Sequence, residues 1–161
     1  MPANPPIHWI TVTSPTIEAV VNPFAAACEK GIVPDRMAVL QNPDIATDSE
    51  RACEICEEIA GVHGQESLEI DTTVIDSDRD FGSIVDFYKQ AIGEVEDNAT
   101  VAVNVTPGRK FMSAIAFQAG MQYGADHVYY FYLDSSDFYD RVYPDVPRTG
   151  ADLVDFTEVF G

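Results

Sequence analysis

Apolar and polar positions fall into alternating blocks of two periods along the chain. Residues 7–13 (IHWITVT) form a β-branched and aromatic run that predicts a strand, and a Ser14-Pro15-Thr16 turn leads into a helical stretch reaching Lys30 and ending at Gly31. Pro23 lies inside that stretch, which predicts either a kinked helix or one that begins there, with Asn22 as cap. Residues 37–41 predict a second strand. Residues 49–60 predict a helix capped by Asp48 or Ser49 and stopped at Gly61. Residues 68–75 alternate as a strand, and residues 81–92 are apolar at Ile84, Val85, Tyr88 and Ile92, a helical spacing with Asp80 near its start. Residues 100–105 (TVAVNV) read as a buried strand and Thr106-Pro107-Gly108 as a turn. Residues 110–123 follow as a helix ending at Gly124, and residues 128–133 (VYYFYL) as a strand bounded by Asp134 and Ser135.

Strands of nearly unbroken apolar character between helices argue for a parallel sheet covered on both faces. The fold class is therefore α/β: a Rossmann-like, doubly wound, mainly parallel sheet of about five strands, with order 3-2-1-4-5 expected from right-handed crossovers. A chain of 161 residues fits one domain spanning 1–161, and no repeat or linker divides it. Residues 136–161, with Pro144, Pro147 and an Arg148-Thr149-Gly150 turn, predict a C-terminal hairpin or short edge element that could lid a site.

Charge narrows the partners. Twenty-seven Asp and Glu against nine Lys and Arg give a net charge of −18, so no broad basic face is available for duplex nucleic acid. Such self-repulsion is screened by salt, and an Asp-rich, Lys-poor composition resembles that of salt-adapted proteins. No apolar stretch is long enough to span a membrane, and the amino terminus lacks a signal-like pattern, so a cytoplasmic location is expected. Three cysteines suit a reducing compartment. Cys53 and Cys56 form a C-x-x-C inside an acid-rich helical run; even with His63 as a third ligand a fourth is missing, so structural thiols and no metal are expected. The sequons at Asn98 and Asn104 read as chance matches in a protein without a secretory signal.

In an open α/β sheet, ligands bind beyond the carboxyl ends of the strands where strand order reverses. Here that is between the first and fourth strands. The loops there are Ser14-Pro15-Thr16 and the run from Asn104 through Thr106, Pro107, Gly108 and Arg109 to Lys110. Only three lysines occur (Lys30, Lys89, Lys110), and Arg109 and Lys110 together enter a first helical turn, where each opposes the helix dipole by about 0.3–1 kcal/mol. A bound anion would reverse that sign; the alternative is pairing with nearby carboxylates. Neither loop carries a complete Gly-x-Gly-x-x-Gly or Walker pattern, which disfavours ordinary NAD or ATP chemistry and implies no cofactor.

At these residues the chain resembles CARF domains, the CRISPR-associated Rossmann fold that senses cyclic oligoadenylates of type III CRISPR systems. The shared features are an opening strand with a Ser/Thr-containing turn (Thr13-Ser14-Pro15-Thr16) and a fourth-strand motif of form Asp/Asn-x-Thr-Gly-Gly-x-Lys followed by an apolar residue. The latter stands here as Asn104-Val-Thr-Pro-Gly-Arg-Lys110-Phe-Met112, with Pro107 in place of a usual Gly. The resemblance implies a homodimer that binds one ring-shaped ligand across its two-fold axis, contacted by Ser14, Pro15, Thr16, Asn104, Thr106, Pro107, Gly108, Arg109, Lys110 and Met112. Family members usually carry a fused effector; no residues remain for one here, so a stand-alone domain is expected, with a separate effector protein as its partner if it acts as a sensor. Some members only bind the ring. Others, the ring nucleases, cleave it without metal by attack of a ribose 2′-hydroxyl on the adjacent phosphorus, which would make Lys110 the transition-state cation and Ser14 an orienting group.

The helix at 110–123, with Phe111, Met112, Ala114, Ile115, Ala116, Phe117, Ala119 and Met121, has almost no polar face. It is expected to pack on the sheet and on a second copy, or else under the acidic tail. His8, His63 and His127 fall outside both loops and are not expected to be general bases. Tyr139, Arg141, Tyr143 and Arg148 suit either adenine stacking or tail packing. Two other readings compete with ring cleavage: a non-catalytic sensor, and a binder of a mononucleotide or sugar phosphate unrelated to CRISPR.

Overall fold

The computed structural model describes residues 4–161. Six strands form one sheet: β1 (Ile7–Val12), β2 (Arg36–Gln41), β3 (Glu69–Val74), β4 (Thr100–Asn104), β5 (His127–Leu133) and β6 (Ala151–Asp155). Their order is β3-β2-β1-β4-β5-β6, so the expected 3-2-1-4-5 arrangement is present and the tail adds an edge strand. The first five strands are parallel, and β6 runs antiparallel to β5 with Phe131 opposite Leu153. Helices α1 (Ile17–Glu29) and α2 (Ala46–Val62) cover one face; α3 (Phe81–Gly93) and α4 (Lys110–Gln122) cover the other. A short α5 (Phe156–Phe160) follows β6.

Each face has its own core. On the α1/α2 side, Trp9 is fully buried between Phe24 (ring centroids 5.7 Å apart, edge-on) and Tyr129 (5.9 Å, stacked). On the α3/α4 side, Ile10, Leu40, Val103 and Val128 meet Ile84, Tyr88, Met112 and Ala116. Gly120 lets α4 lie close to β5: a Cβ there would stand 2.8 Å from Val128 Cγ2.

Two expected helix starts are corrected. Helix α1 runs unbroken through Pro23, and Asn22 is a buried helix-interior residue whose amide donates to the Arg141 carbonyl, so it caps nothing. Pro23 is the seventh residue of α1, past the first turn, so the helix forgoes the bond that an N–H there would give to the Ala19 carbonyl and still continues to Glu29. Helix α2 begins at Ala46, three residues before Ser49, which is buried; its cap position is Ile45, and no side chain bonds the first turn. Asp80 does cap α3, accepting from the Ser83 amide at 3.2 Å.

Helix α4 packs Met112, Ala116, Ala119 and Gly120 against the sheet. Its flanks are met by aromatic side chains: Phe81 of α3 against Phe111, and Phe156 and Phe160 of α5 against Phe117. The tail therefore covers one flank, while Ala114, Gln118, Met121 and Gln122 stay exposed. Burial pushes the Cys28 thiol up to about 12 and the Cys53 thiol to about 11, and Cys56 also well up, so all three stay protonated at neutral pH. Among the described residues, no helix is long and apolar enough to cross a membrane.

Candidate functional site

Parallel strands deliver their outgoing loops to the same edge of the sheet, and the order reverses between β1 and β4. An open crevice of about 480 Å³ lies there, lined by Ser14, Pro15, Thr16, Thr106, Gly108 and Arg109 from the two expected loops. Asn42, Pro43, Ile45 and Asp78 from the loops after β2 and β3 complete it. Those last residues carry no local pattern that points to the site. Only the rule that neighbouring parallel strands open on one edge leads to them.

The cap residues of three helices line this single crevice: Thr16 for α1, Ile45 for α2 and Arg109 for α4. None of the three starts is closed by a side-chain cap, whereas α3 and α5 are capped by Asp80 and Asp155. Three helix starts without side-chain caps thus border one hollow, and unpaired first-turn amides with the positive ends of helix dipoles are the groups that hold anions.

Beneath the crevice a buried polar network holds the β4–α4 loop. Asn104 is fully buried; its Nδ2 donates to Thr11 Oγ1 at 3.2 Å, and its Oδ1 accepts from the Thr106 amide at 3.1 Å. Thr106 Oγ1 in turn accepts from the Phe131 amide at 3.0 Å, tying the loop to β5. Ser14 closes its own turn: the Oγ accepts from the Thr16 amide at 3.0 Å and donates to the Thr16 carbonyl at 3.2 Å. Hydroxyls and an amide that look like ligand groups in the sequence are here committed to shaping the loops.

The turn demands a positive φ at Gly108 (93°), where a Cβ would meet Met112 Cβ at 3.0 Å. Position 107 carries no such demand, so the proline there is accommodated without strain. Met112 is buried behind the turn and lies outside the crevice lining. Arg109 reaches Asp78 at 3.5 Å, the carboxylate pairing expected as the alternative to a bound anion, with its side chain still three-quarters exposed. Lys110 is exposed at the start of α4 and is not among the crevice-lining residues.

The remaining candidates separate. Tyr139 and Arg141 border hollows beside the crevice. Tyr143 and Arg148 instead stack on each other, 3.8 Å from guanidinium to ring centroid, and both bond Glu29, fastening the tail to α1. The Tyr143 and Arg148 bonds hold the Glu29 carboxyl below its usual range, and burial with the Glu29 bond pushes the Tyr143 phenol up to about 12. His8 and His127 pair with Glu96 and Asp155 at the opposite edge of the sheet, and His63 caps the end of α2. Among the described residues, no group of three or more His, Cys, Asp or Glu side chains could hold a metal ion.

The family described as CRISPR-associated protein NE0113 (Cas_NE0113) matches residues 35–152. No curated protein matches the chain. Among solved structures, Enterococcus italicus Csm6 bound to cyclic hexa-2′-fluoro-hexa-dAMP resembles it with a TM-score of 0.64 and 15% identity, over 98% of this chain and 45% of that one. At that identity the likeness is one of fold, and the chain spans less than half the length of that relative.

Proposed function

The chain belongs to the CRISPR-associated protein NE0113 family, and from that premise we propose that the crevice between β1 and β4 binds a cyclic oligoadenylate. The observation that carries this reading is the convergence of three helix amino termini without side-chain caps on one hollow, in a chain whose charge is −18. A long polyanion is repelled by the acidic surface; a small ring can place phosphates on backbone amides without crossing it. The Csm6 relative of the same fold was solved with a cyclic hexanucleotide analogue, which supports the ligand class.

The ring would be shared by two copies of the chain. Helix α4 starts at the crevice and is free of acidic residues, while α1, α2, α3 and α5 all carry them. Two chains of charge −18 can approach most closely through such a face, and the exposed Ala114, Gln118 and Met121 offer an uncharged surface to do it. An Ala114→Glu variant places a carboxylate on that face and is expected to sediment as a monomer.

Cleavage of the ring is the finer part of the proposal. A ribose 2′-oxygen bonds to the adjacent phosphorus as the 5′-oxygen leaves and takes a proton, giving a linear product ending in a 2′,3′-cyclic phosphate. Lys110, exposed beside the α4 amides, is the cation that would stabilise the phosphorane charge. Ser14 would hold the β1–α1 turn against the reacting ribose, because its hydroxyl is already bonded to Thr16. The test is an equilibrium titration with cyclic tetra- and hexa-adenylate, followed by product analysis without metal. One ring per two chains, with linear products lost in Lys110→Ala, is expected. An intact ring after long incubation identifies a sensor, and one mononucleotide bound per chain overturns the reading.

A further inference from the structure

A hollow of about 430 Å³ lies between α1, α2 and residues 142–148 of the tail, and it shares no lining residue with the crevice. Its apolar walls are Val21 and Ala25 of α1, Ile55, Ile59 and Val62 of α2, and Val142 of the tail. The charged groups at one end are committed to one another: Glu29 accepts from the Tyr143 hydroxyl and from Arg148 Nε at 2.9 Å. That bonded triad fixes the wall and leaves the interior to an apolar occupant. On both rims the apolar surface continues into water, with Val62 84% exposed and Val142 46%. An apolar surface wider than its own hollow fits a macromolecule better than a small ligand enclosed within it.

Shape and charge choose the partner. Val21 and Ala25 stand one turn apart on α1, and Ile55, Ile59 and Val62 recur at i, i+4 and i+7 on α2, so two helical ridges border the hollow. The element that lays apolar side chains of the same period between two such ridges is a third helix. Glu54 and Glu58 are exposed, each directly before Ile55 or Ile59, and exposed Asp145 follows Pro144 of the lining. Helix α2 as a whole carries Asp48, Glu50, Glu54, Glu57 and Glu58 against Arg51. A second copy of a chain of charge −18 would set one acidic rim against another, so the occupant is a different protein, basic beside its apolar anchors. The α4 face lies on the other side of the sheet, so pairing of two copies there leaves this hollow open.

We infer that the α1/α2 hollow docks a basic amphipathic helix of a partner protein. Apolar side chains at i, i+3 or i+4 and i+7 of that helix enter between Val21, Ala25, Ile55 and Ile59, and its lysines or arginines meet Glu54 and Glu58. The docking surface stands independently of the cyclic oligoadenylate reading.

The probe is a labelled peptide of about 15 leucines and lysines, ordered so that the leucines share one helical face, titrated onto the full chain by fluorescence anisotropy. Two controls accompany it: the same composition in strict alternation, and the helical pattern with glutamate for lysine. The helical Leu/Lys peptide is expected to bind roughly tenfold tighter than either control. Val62→Asp and Val142→Asp, at exposed positions where folding is not at stake, should each weaken it by roughly tenfold. The added carboxylates attract lysine, so such a loss reports apolar anchoring and not charge. Glu54→Lys combined with Glu58→Lys should shift the preference toward the Leu/Glu peptide. No binding of the helical Leu/Lys peptide, equal binding of the two Leu/Lys peptides, undiminished binding in either aspartate variant, or an unchanged preference in the lysine variant overturns the inference. So does a self-association that Val62→Asp abolishes, which assigns the hollow to a second copy, or uptake of a small apolar dye that the peptide fails to displace, which assigns it to a small ligand.

Discussion

Asn104→Ala tests whether the loop between β4 and α4 is held from beneath. The substitution removes the bond to Thr11 Oγ1 (3.2 Å) and the bond from the Thr106 amide (3.1 Å) at a fully buried position. Each such bond contributes about 1 kcal/mol net, and leaving a buried partner unpaired raises the cost toward 1–3 kcal/mol. With the space left by the side chain, the expected loss is about 2–4 kcal/mol. For a domain of this size that lowers Tm by roughly 5–15 °C, readable by calorimetry. Thr11→Val removes the other end of the same bond, so the double variant should lose less than the sum of the two single losses. Ligand affinity should fall in Asn104→Ala together with stability, because the crevice-lining Thr106 and Gly108 are set by this network. An unchanged Tm, or strictly additive losses in the double variant, would refute the argument that Asn104 acts by holding the loop.

Three further outcomes are expected. Tyr88→Phe should raise stability by about 1 kcal/mol in urea denaturation, since the Tyr88 hydroxyl is buried without a partner and burial pushes its pKa up; a loss of similar size would show that the hydroxyl is satisfied. Gly120→Ala should lower the urea midpoint, because a Cβ 2.8 Å from the fully buried Val128 costs about 1–3 kcal/mol of overpacking against about 1 kcal/mol of helix propensity gained; an unchanged or higher midpoint would contradict the close approach of α4 to β5. Burial alone would raise the Asp155 pKa, but bonds from His127, Thr157 and the Val128 and Thr157 amides outweigh it and hold the carboxyl low. Its stabilising contribution is therefore present above the unfolded value of about 3.9 and lost as pH falls through the lower folded value. Asp155→Asn should flatten the acid limb of the stability profile below about pH 4, and an acid limb identical to wild type would count against the Asp155 cluster as its source.

Local pattern was enough for the alternation of strands and helices, the reversal between β1 and β4, and the two loops bordering the crevice. Each of these rests on interactions within a few residues: apolar runs that must be buried on both faces, a glycine at a positive φ, a turn before a helix. The extra edge strand β6 could be anticipated only as an element without a partner, since pairing with β5 is a contact between distant segments. Tertiary structure alone decided which polar side chains are held in bonds beneath the crevice and which line it. Asn104 and Ser14 look like ligand groups in a row of letters, yet their bonds go to Thr11, Thr106 and Thr16, and a hydrogen-bond partner 93 residues away leaves no local trace. Asn22, read locally as a cap for Pro23, became a buried amide with an unpaired oxygen because the tail folds back over α1. Asn42 and Asp78 entered the crevice only because parallel pairing sends the exits of β2 and β3 to the edge where β1 and β4 part. Sequence sets which segments must be buried and where the chain turns; burial and pairing between distant segments set which side chains remain for chemistry.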